Sequence, residues 1–273
     1  RGMAIGTAAP TAEEMEGVPH HMVAVADPAE QWSAARFCQA ADACIQDILS
    51  RGKLPVLAGG TGLYLDALIR GDDFAPGCQG GRTRLRLQQE LRELGPREML
   101  RRLEAVDPET AARLHLRDEK RILRALEVYL ETGETITEHN RKTQAVPPRY
   151  SPLWLGLDFA QRGELYRRID LRVSLMLQQG LVEEIQGLLA DGIPEKATAM
   201  QAIGYKEFVD ALDGRCTIEE AADLVRQSSR RYAKRQLTWF RRNKAIHWLI
   251  RDTGDTGREI LENARRIVSD FDN

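Results

Sequence analysis

Residues 54–64, LPVLAGGTGLY, constrain the fold of this chain more than any other stretch. The apolar run at 55–58 has no polar alternation, which is typical of a parallel strand covered on both faces. Gly59 and Gly60 allow a sharp turn and the close approach of a ligand, and Thr61 adds a hydroxyl just before an amphipathic helix. The pattern predicts a buried strand, a phosphate-type turn and a helix. An ordinary strand-to-helix connection explains a bare GGTG about equally well.

Helical spacing of apolar residues dominates the chain on both sides of this stretch. Residues 33–49 have this spacing and follow the short apolar segment 22–28, so we expect a strand-helix-strand unit that leads into the glycine turn. Residues 82–130 are almost entirely helical in pattern, and Gly71 is the expected hinge before them. Most of the chain is therefore predicted to be helical.

Two later apolar segments predict further strands. LWLGLDF at 153–159 reads as a second buried strand, and AIHWLI at 245–250 reads as a last strand followed by a C-terminal helix. Together with the run at 55–58, these segments would form a central sheet.

The composition excludes several classes of protein. With 42% hydrophobic and 29% charged residues, the 273-residue chain can build a core, and its net charge of -2 gives no global sign of nucleic-acid binding. No apolar run approaches the roughly 20 residues that span a bilayer, so no membrane partner is expected. The dispersed cysteines argue against a zinc site or a disulfide framework and favour a reducing cytoplasm: Cys38, Cys44, Cys78 and Cys216.

A local cluster of positive charge lies near the C-terminus. Residues 226–244 contain eight basic residues and no acidic one, which predicts a surface for a polyanion rather than a merely solvated helix. Tyr232, Trp239 and Phe240 interleave aromatic rings that suit either the core or base stacking. The basic residues are Arg226, Arg230, Arg231, Lys234, Arg235, Arg241, Arg242 and Lys244.

Five ordered segments carry a resemblance to a known family. RGMAIGTAAP, LPVLAGGTGLY, KRILRALEVYLETG, AIGYKE and YAKRQLTWFRR, with HWL after them, resemble the tRNA dimethylallyltransferases, also called tRNA isopentenyltransferases or IPP transferases. The resemblance covers essentially the whole chain. It implies an α/β fold, with a P-loop nucleoside triphosphatase-like parallel sheet core at 1–70 and 149–273. An inserted all-helical, tRNA-contacting domain would occupy 71–148.

The resemblance also implies a reaction. Such enzymes transfer a dimethylallyl group from dimethylallyl diphosphate to N6 of the adenosine on the 3′ side of the anticodon, in tRNAs that read codons beginning with U. The expected partners are the tRNA anticodon stem-loop and dimethylallyl diphosphate, the expected cofactor is a magnesium ion (Mg2+), and the protein is expected to be a cytoplasmic monomer.

Site residues follow from the same matched motifs. Thr61 would be the catalytic contact with the target nucleotide, and Gly59 and Gly60 would bind diphosphate. The residues expected to bind tRNA are Arg84, Lys120, Arg121, Arg124, Gln201, Gly204, Tyr205, Lys206, Lys234, Arg235, Gln236 and Arg241.

The chain departs from the family pattern at several places. It contains no GxxxxGK[ST] loop, and the strand with an Asp-Ser pair, whose Asp is the family's proposed general base, does not occur. Ala4, Ala9 and Ser174 stand where the family usually has an acidic, a basic and an acidic residue. We therefore expect a fragment that lacks the usual magnesium ligand and is inactive in prenyl transfer as written.

Two other functions remain open at this point. A nucleoside-monophosphate kinase-like enzyme would use Arg167, Arg168 and Arg172 to clamp phosphates during phosphoryl transfer. A non-catalytic RNA-binding module would retain the basic helix without any transferase activity.

Overall fold

A computed structural model of the chain describes residues 1–72, 74, 81–252, 254 and 257–271. Cys78 and most of the predicted loop at 72–81 lie outside the described residues. The helices are α1 Ala34–Ser50, α2 Gly62–Arg70, α3 Arg82–Val106, α4 Pro108–Ala111, α5 Glu119–Thr132, α6 Ile136–Gln144, α7 Arg162–Gln178, α8 Leu181–Ala190, α9 Lys206–Leu212, α10 Ile218–Phe240 and α11 Gly257–Phe271. The strands are β1 Trp154–Phe159 and β2 Ile246–Arg251, and a short 3-10 helix covers Ala199–Gln201.

The chain divides into two compact units. The first contains Arg1–Leu68 and Ser151–Asn273, and the second contains Ile69–Tyr150. The backbone N–H of Tyr150 donates to the carbonyl of Ile69 at 3.1 Å, so the two ends of the second unit are tied together. Within the described helices, none combines the length and the apolar character needed to cross a lipid bilayer.

In the first unit, β1 and β2 pair in parallel, with Trp154 opposite Ile246 and Phe159 opposite Arg251. The strands predicted at 153–159 and 245–250 are confirmed, and so is the α/β class. The expectation that β1 is buried is wrong in part, because Leu157 on it is 69% exposed.

The core of the first unit is helical. Side chains of α7, α8, α9 and α10 meet in one cluster, and the loop residues Met3 and Ile5 pack against it. The fully or almost fully buried members include Val173, Leu181, Ile185, Met200, Tyr205, Phe208 and Val225.

The strand predicted at 55–58 is wrong. The backbone there adopts no strand pairing, and Leu54 and Val56 are 77% and 81% exposed. An apolar run becomes a buried strand only when a neighbouring strand supplies hydrogen bonds and cover, and the described residues place none beside it. The segment at 22–28 likewise forms bends, with Met22 and Ala24 at φ 64° and 50°. Of the predicted strand-helix-strand unit, only α1 forms, with the Ser33 hydroxyl capping it.

The second unit is built from helices that follow one another closely in sequence. Asp107 caps α4 by accepting from the Thr110 N–H at 3.0 Å, and it also accepts from Thr137. Gly133 ends α5 at φ 74°, where a side chain would be strained. The chain kinks within α3 at Gly95, whose φ is 78°, immediately before Pro96. The core consists of Leu87, Met99, Leu103, Ala111, Ile122, Leu123, Ala125 and Leu126.

Candidate functional site

The glycine turn before α2 lies against the C-terminal half of α10. The Gln236 side-chain amide donates to the Gly60 carbonyl at 2.9 Å, and the Trp239 indole N–H donates to Asp66 at 2.9 Å. A Cβ added at Gly60 would lie 1.9 Å from Gln236 Nε2, and one at Gly62 would lie 2.2 Å from Trp239 Cδ1. Gly62 requires glycine because the Trp239 ring packs so closely on the turn, whereas a side chain at Gly60 would displace only the flexible end of Gln236. Gly60 was expected to bind diphosphate and Gln236 to bind tRNA, and the structure places these two residues in contact.

Thr61 lies at the open end of this turn, directly before α2. Its carbonyl accepts from the N–H groups of Tyr64 at 2.9 Å and Leu65 at 3.2 Å. The side chain is exposed, and its hydroxyl makes no hydrogen bond to any residue that the structure describes. The hydroxyl can thus donate to or accept from a ligand at the positive end of a helix dipole.

The eight basic residues of 226–244 divide into two groups. Three of them form salt bridges: Arg226 with Glu219 and Asp223 at 2.8 and 2.7 Å, Arg230 with Asp170 at 3.0 Å, and Arg241 with Asp158 at 2.9 Å. Asp158 is buried near the C-terminal end of β1, so Arg241 joins the end of α10 to the sheet.

The other basic residues have no carboxylate partner among the residues described. Arg231 and Arg235 lie one turn apart on α10 and are exposed, as are Lys234 beside them and Arg242 just beyond the end of the helix. The Arg235 guanidinium lies 5.5 Å from the Tyr232 ring centroid, and that of Arg242 lies 5.8 Å from the Trp239 ring centroid. We call Arg231, Lys234, Arg235 and Arg242 the basic face of α10. Its charge is available to an anion from solvent.

The segment before α9 lies mainly in the core. Tyr205 is 0% exposed, and its hydroxyl donates to Glu184 at 2.7 Å. Burial, together with this bond to a carboxylate, raises the pKa of the Tyr205 hydroxyl far above its usual value. The expected contact of Tyr205 with tRNA does not fit this arrangement. Gly204 has φ 97° and donates to Glu207, whereas the side chains of Gln201 and Lys206 are exposed.

Glu184 has a structural role that sequence reasoning missed. Besides the Tyr205 hydroxyl, its carboxylate accepts the backbone N–H groups of Ala4, Ile5 and Gly6 at 2.7, 2.8 and 3.2 Å. Gly6 has to be glycine, because an added Cβ would lie 2.4 Å from the Tyr205 ring. Glu184 therefore holds the N-terminal loop on α8. Acidic residues are common in the first turn of a helix, so the sequence VEE at the start of α8 does not indicate this role.

In the second unit, the structure brings Arg84 and Arg124 together around Glu127. The Glu127 Oε2 atom lies 2.9 Å from Arg124 Nη1 and 3.8 Å from Arg84 Nη1. Lys120 and Arg121, which were also expected to bind tRNA, are exposed. Glu127 is buried, and nothing in the sequence pattern singles it out.

No group of three or more His, Cys, Asp or Glu side chains that could hold a metal occurs in the described ranges. The arginines of the kinase alternative, Arg167 and Arg168, both donate to Glu164 and lower the pKa of its carboxyl to about 2. Their contact with a carboxylate on the same helix is typical of a solvated surface.

Comparison with known sequences identifies relatives over the length of the chain. The family model described as IPP transferase matches residues 1–243. A tRNA dimethylallyltransferase of Desulforudis audaxviator is 45% identical over 273 residues, covering 100% of this chain and 86% of that protein. The tRNA dimethylallyltransferase 1 of Pelobacter propionicus is 47% identical over 249 residues, covering 91% and 80%.

Solved structures agree with these relatives. The full-length tRNA isopentenylpyrophosphate transferase of Bacillus halodurans superposes with a TM-score of 0.69 at 39% identity, covering 98% of this chain and 84% of that one. A eukaryotic dimethylallyltransferase acting on tRNA gives a TM-score of 0.80 at 26% identity, covering 98% and 70%. The family predicted from the ordered motifs is confirmed: this chain belongs to the IPP transferase family, the tRNA dimethylallyltransferases.

Proposed function

We propose that this chain acts in transfer of a dimethylallyl group from dimethylallyl diphosphate to N6 of the adenosine on the 3′ side of the anticodon, in tRNAs that read codons beginning with U. The observation that carries the proposal is the basic face of α10, which lies on the helix that packs against the glycine turn and Thr61. It offers positive charge for a nucleic acid next to a hydroxyl that has no hydrogen-bond partner in the described chain.

The chemistry sets what the site has to supply. The N6 lone pair forms a bond to C1 of the dimethylallyl group, and the C1–O bond breaks with its electrons leaving on diphosphate. A base takes the N6 proton, and cationic or N–H groups stabilise the leaving diphosphate. We assign Thr61 to contact with the target nucleotide and the N–H groups near Gly59 to the diphosphate. Magnesium, the expected cofactor, would help to neutralise the charge of the leaving diphosphate when bound.

The tRNA contacts follow from charge and exposure. A target base has to leave its stack to reach an enclosed reaction site, which favours phosphate contacts and stacking over groove reading. We propose that the basic face of α10 binds anticodon stem-loop phosphates, with Gln201 and Lys206 as further contacts of the first unit. The second unit, Ile69–Tyr150, would be the tRNA-contacting insertion into a P-loop-like core and would contribute Arg84, Lys120, Arg121 and Arg124. The protein would act as a cytoplasmic monomer.

A salt titration of tRNA binding tests the proposal. Replacing both Arg231 and Arg235 with Ala should reduce the slope of log K against log salt by roughly 0.9 for each lost phosphate contact. Arg226→Ala is the matched control on the same helix, because Arg226 is paired with Glu219 and Asp223 and should leave the slope unchanged. Equal slopes for all three proteins would assign the basic face to solvent.

Product analysis then separates the candidate functions. The proposal departs from the inactivity expected from the missing motifs: incubation of this chain with tRNA and labelled dimethylallyl diphosphate, followed by nucleoside analysis, should place the label on N6 of that adenosine. Binding of tRNA without label would favour the RNA-binding module, and phosphate transfer between nucleotides would favour the kinase.

A further inference from the structure

A buried carboxylate lies between two arginines in the second unit. The Glu127 side chain is 1% exposed, and its Oε2 atom approaches both Arg124 Nη1, at 2.9 Å, and Arg84 Nη1, at 3.8 Å. A carboxylate is retained at such a depth only with compensating cations or hydrogen bonds. Glu127 is therefore part of an arrangement that also specifies where the two guanidinium groups lie.

Both arginines approach the same oxygen of the Glu127 carboxylate, Oε2. Oε1 of Glu127 is buried and has no hydrogen-bond partner within the described part of the chain. Arg84 lies beyond hydrogen-bonding distance of Oε2, yet its guanidinium carries five N–H donors. Charge attraction thus keeps Arg84 near Glu127 without consuming its donors. The Arg84 side chain is 18% exposed, and the donors on this exposed part remain available to a second acceptor.

The surroundings of Arg84 favour a negative charge. Arg84 belongs to the first turn of α3, which has no acidic residue, and the preceding Gly81 has no side chain to cap the helix. The first N–H groups of a helix and its dipole attract anions. A phosphate is complementary to this combination of a forked cation and helix N–H groups.

We infer that Glu127 is a positioning residue that holds Arg84 at the start of α3 as a phosphate-binding side chain, and that the phosphate belongs to the tRNA backbone. The inference rests on the proposed function, because it takes tRNA as the source of the phosphate. Glu127 itself is too deeply buried to contact tRNA and acts through Arg84.

Glu127→Gln tests this role, because it keeps the size of the side chain and removes its charge. If Glu127 positions Arg84, tRNA affinity should fall about tenfold, as for loss of one charged hydrogen bond, and the salt slope should fall by roughly 0.9. If Glu127 only neutralises charge, its removal should strengthen tRNA binding. The two roles predict changes of opposite sign.

Arg84→Ala and the double variant complete the experiment. Because Glu127 acts through Arg84, adding Glu127→Gln to Arg84→Ala should cause no further loss of affinity. Tighter or unchanged binding by Glu127→Gln, or additive losses in the double variant, would overturn the inference. Absence of salt-dependent tRNA binding by the unsubstituted chain would overturn the proposed function as well.

Glu127→Asp takes the place of Glu127→Gln if the latter fails to fold, as judged by circular dichroism. Asp keeps the charge but withdraws the carboxylate from Arg84 by one methylene. A lower affinity and slope would support positioning, and unchanged values would overturn it.

Discussion

Each of the two units is stabilised by its own internal contacts, and these contacts differ greatly in how far apart in sequence the bonded residues are. In the first unit, Gln236 bonds to Gly60 across 176 residues and Ala4 bonds to Glu184 across 180. In the second unit, Asp107 bonds to Thr137 across only 30. The glycine turn thus depends on a helix from the far end of the chain, whereas the helical unit depends on its near neighbours. The difference predicts where a substitution has its greatest effect.

Gly62→Val should lower the stability of the first unit more than Tyr205→Phe or Thr61→Val. The new Cβ would lie 2.2 Å from the Trp239 ring, so α10 would have to move away from the turn. We expect the free energy of unfolding to fall by about 3 kcal/mol, the upper range for overpacking. Gly59→Val is the matched control, since nothing lies within 4 Å of its Cβ. Equal urea midpoints for the two variants would contradict the close packing of α10.

Asp107→Ala should have the largest effect in the second unit. It removes the cap of α4 and the hydrogen bonds from the Thr137 N–H at 3.1 Å and hydroxyl at 2.6 Å. The expected loss is about 2 kcal/mol in urea denaturation at pH 7.

The pH dependence of this loss provides a second test. Burial raises the pKa of Asp107, but the hydrogen bonds from Thr137 and Thr110 outweigh it and hold the pKa below its ordinary value of 3.8. A depressed pKa adds stability above the unfolded-state pKa that is lost as the pH falls through the folded-state pKa. The gap between the unsubstituted chain and Asp107→Ala should therefore shrink below about pH 4. A constant gap would show that the carboxylate charge is immaterial.

Tyr205→Phe should have a smaller effect on the first unit. The ring still fills the core, and only the bond from its hydroxyl to Glu184 is lost, which should cost about 1 kcal/mol. Glu184 keeps its bonds to the N-terminal loop. Tyr232→Phe, at an exposed tyrosine, is the control and should leave the melting temperature unchanged.

Thr61→Val should have the smallest effect on stability, within about 0.5 kcal/mol, because the hydroxyl is exposed and has no partner among the described residues. We expect a loss of prenyl transfer of about a hundredfold if the hydroxyl positions the target nucleotide. Thermal unfolding and transfer are measured on the same variant. Normal transfer, or a large loss of stability, would remove Thr61 from the site.

Local signals were sufficient for most of the helices and for both observed strands. Helix ends occur where the residue types predict them. Ser33 caps the start of α1, Asp107 caps α4, whose first residue is Pro108, and Gly133 follows the end of α5. The run at 55–58 was misread because apolar character does not reveal whether another strand lies beside it. A hydrophobic pattern predicts which side of a segment can be buried, but it does not show whether a second strand is present to pair with that segment.

The candidate site was less predictable than the fold. Arg235 and Arg241 look alike in sequence, yet only Arg241 meets a buried carboxylate, Asp158, which lies 83 residues away. Glu127 and Glu184 occur on amphipathic helices where acidic residues are ordinarily solvated, and only tertiary contacts show that they are enclosed. The family was found through the order of five motifs, which carry information that periodicity and composition lack.

The bond between Gln236 and Gly60 also has a consequence for synthesis on the ribosome. The 176 residues between them correspond to about 9 to 35 s at roughly 5 to 20 residues per second. During this interval the helical unit, complete at Tyr150, can fold, while the glycine turn waits for α10 to be made.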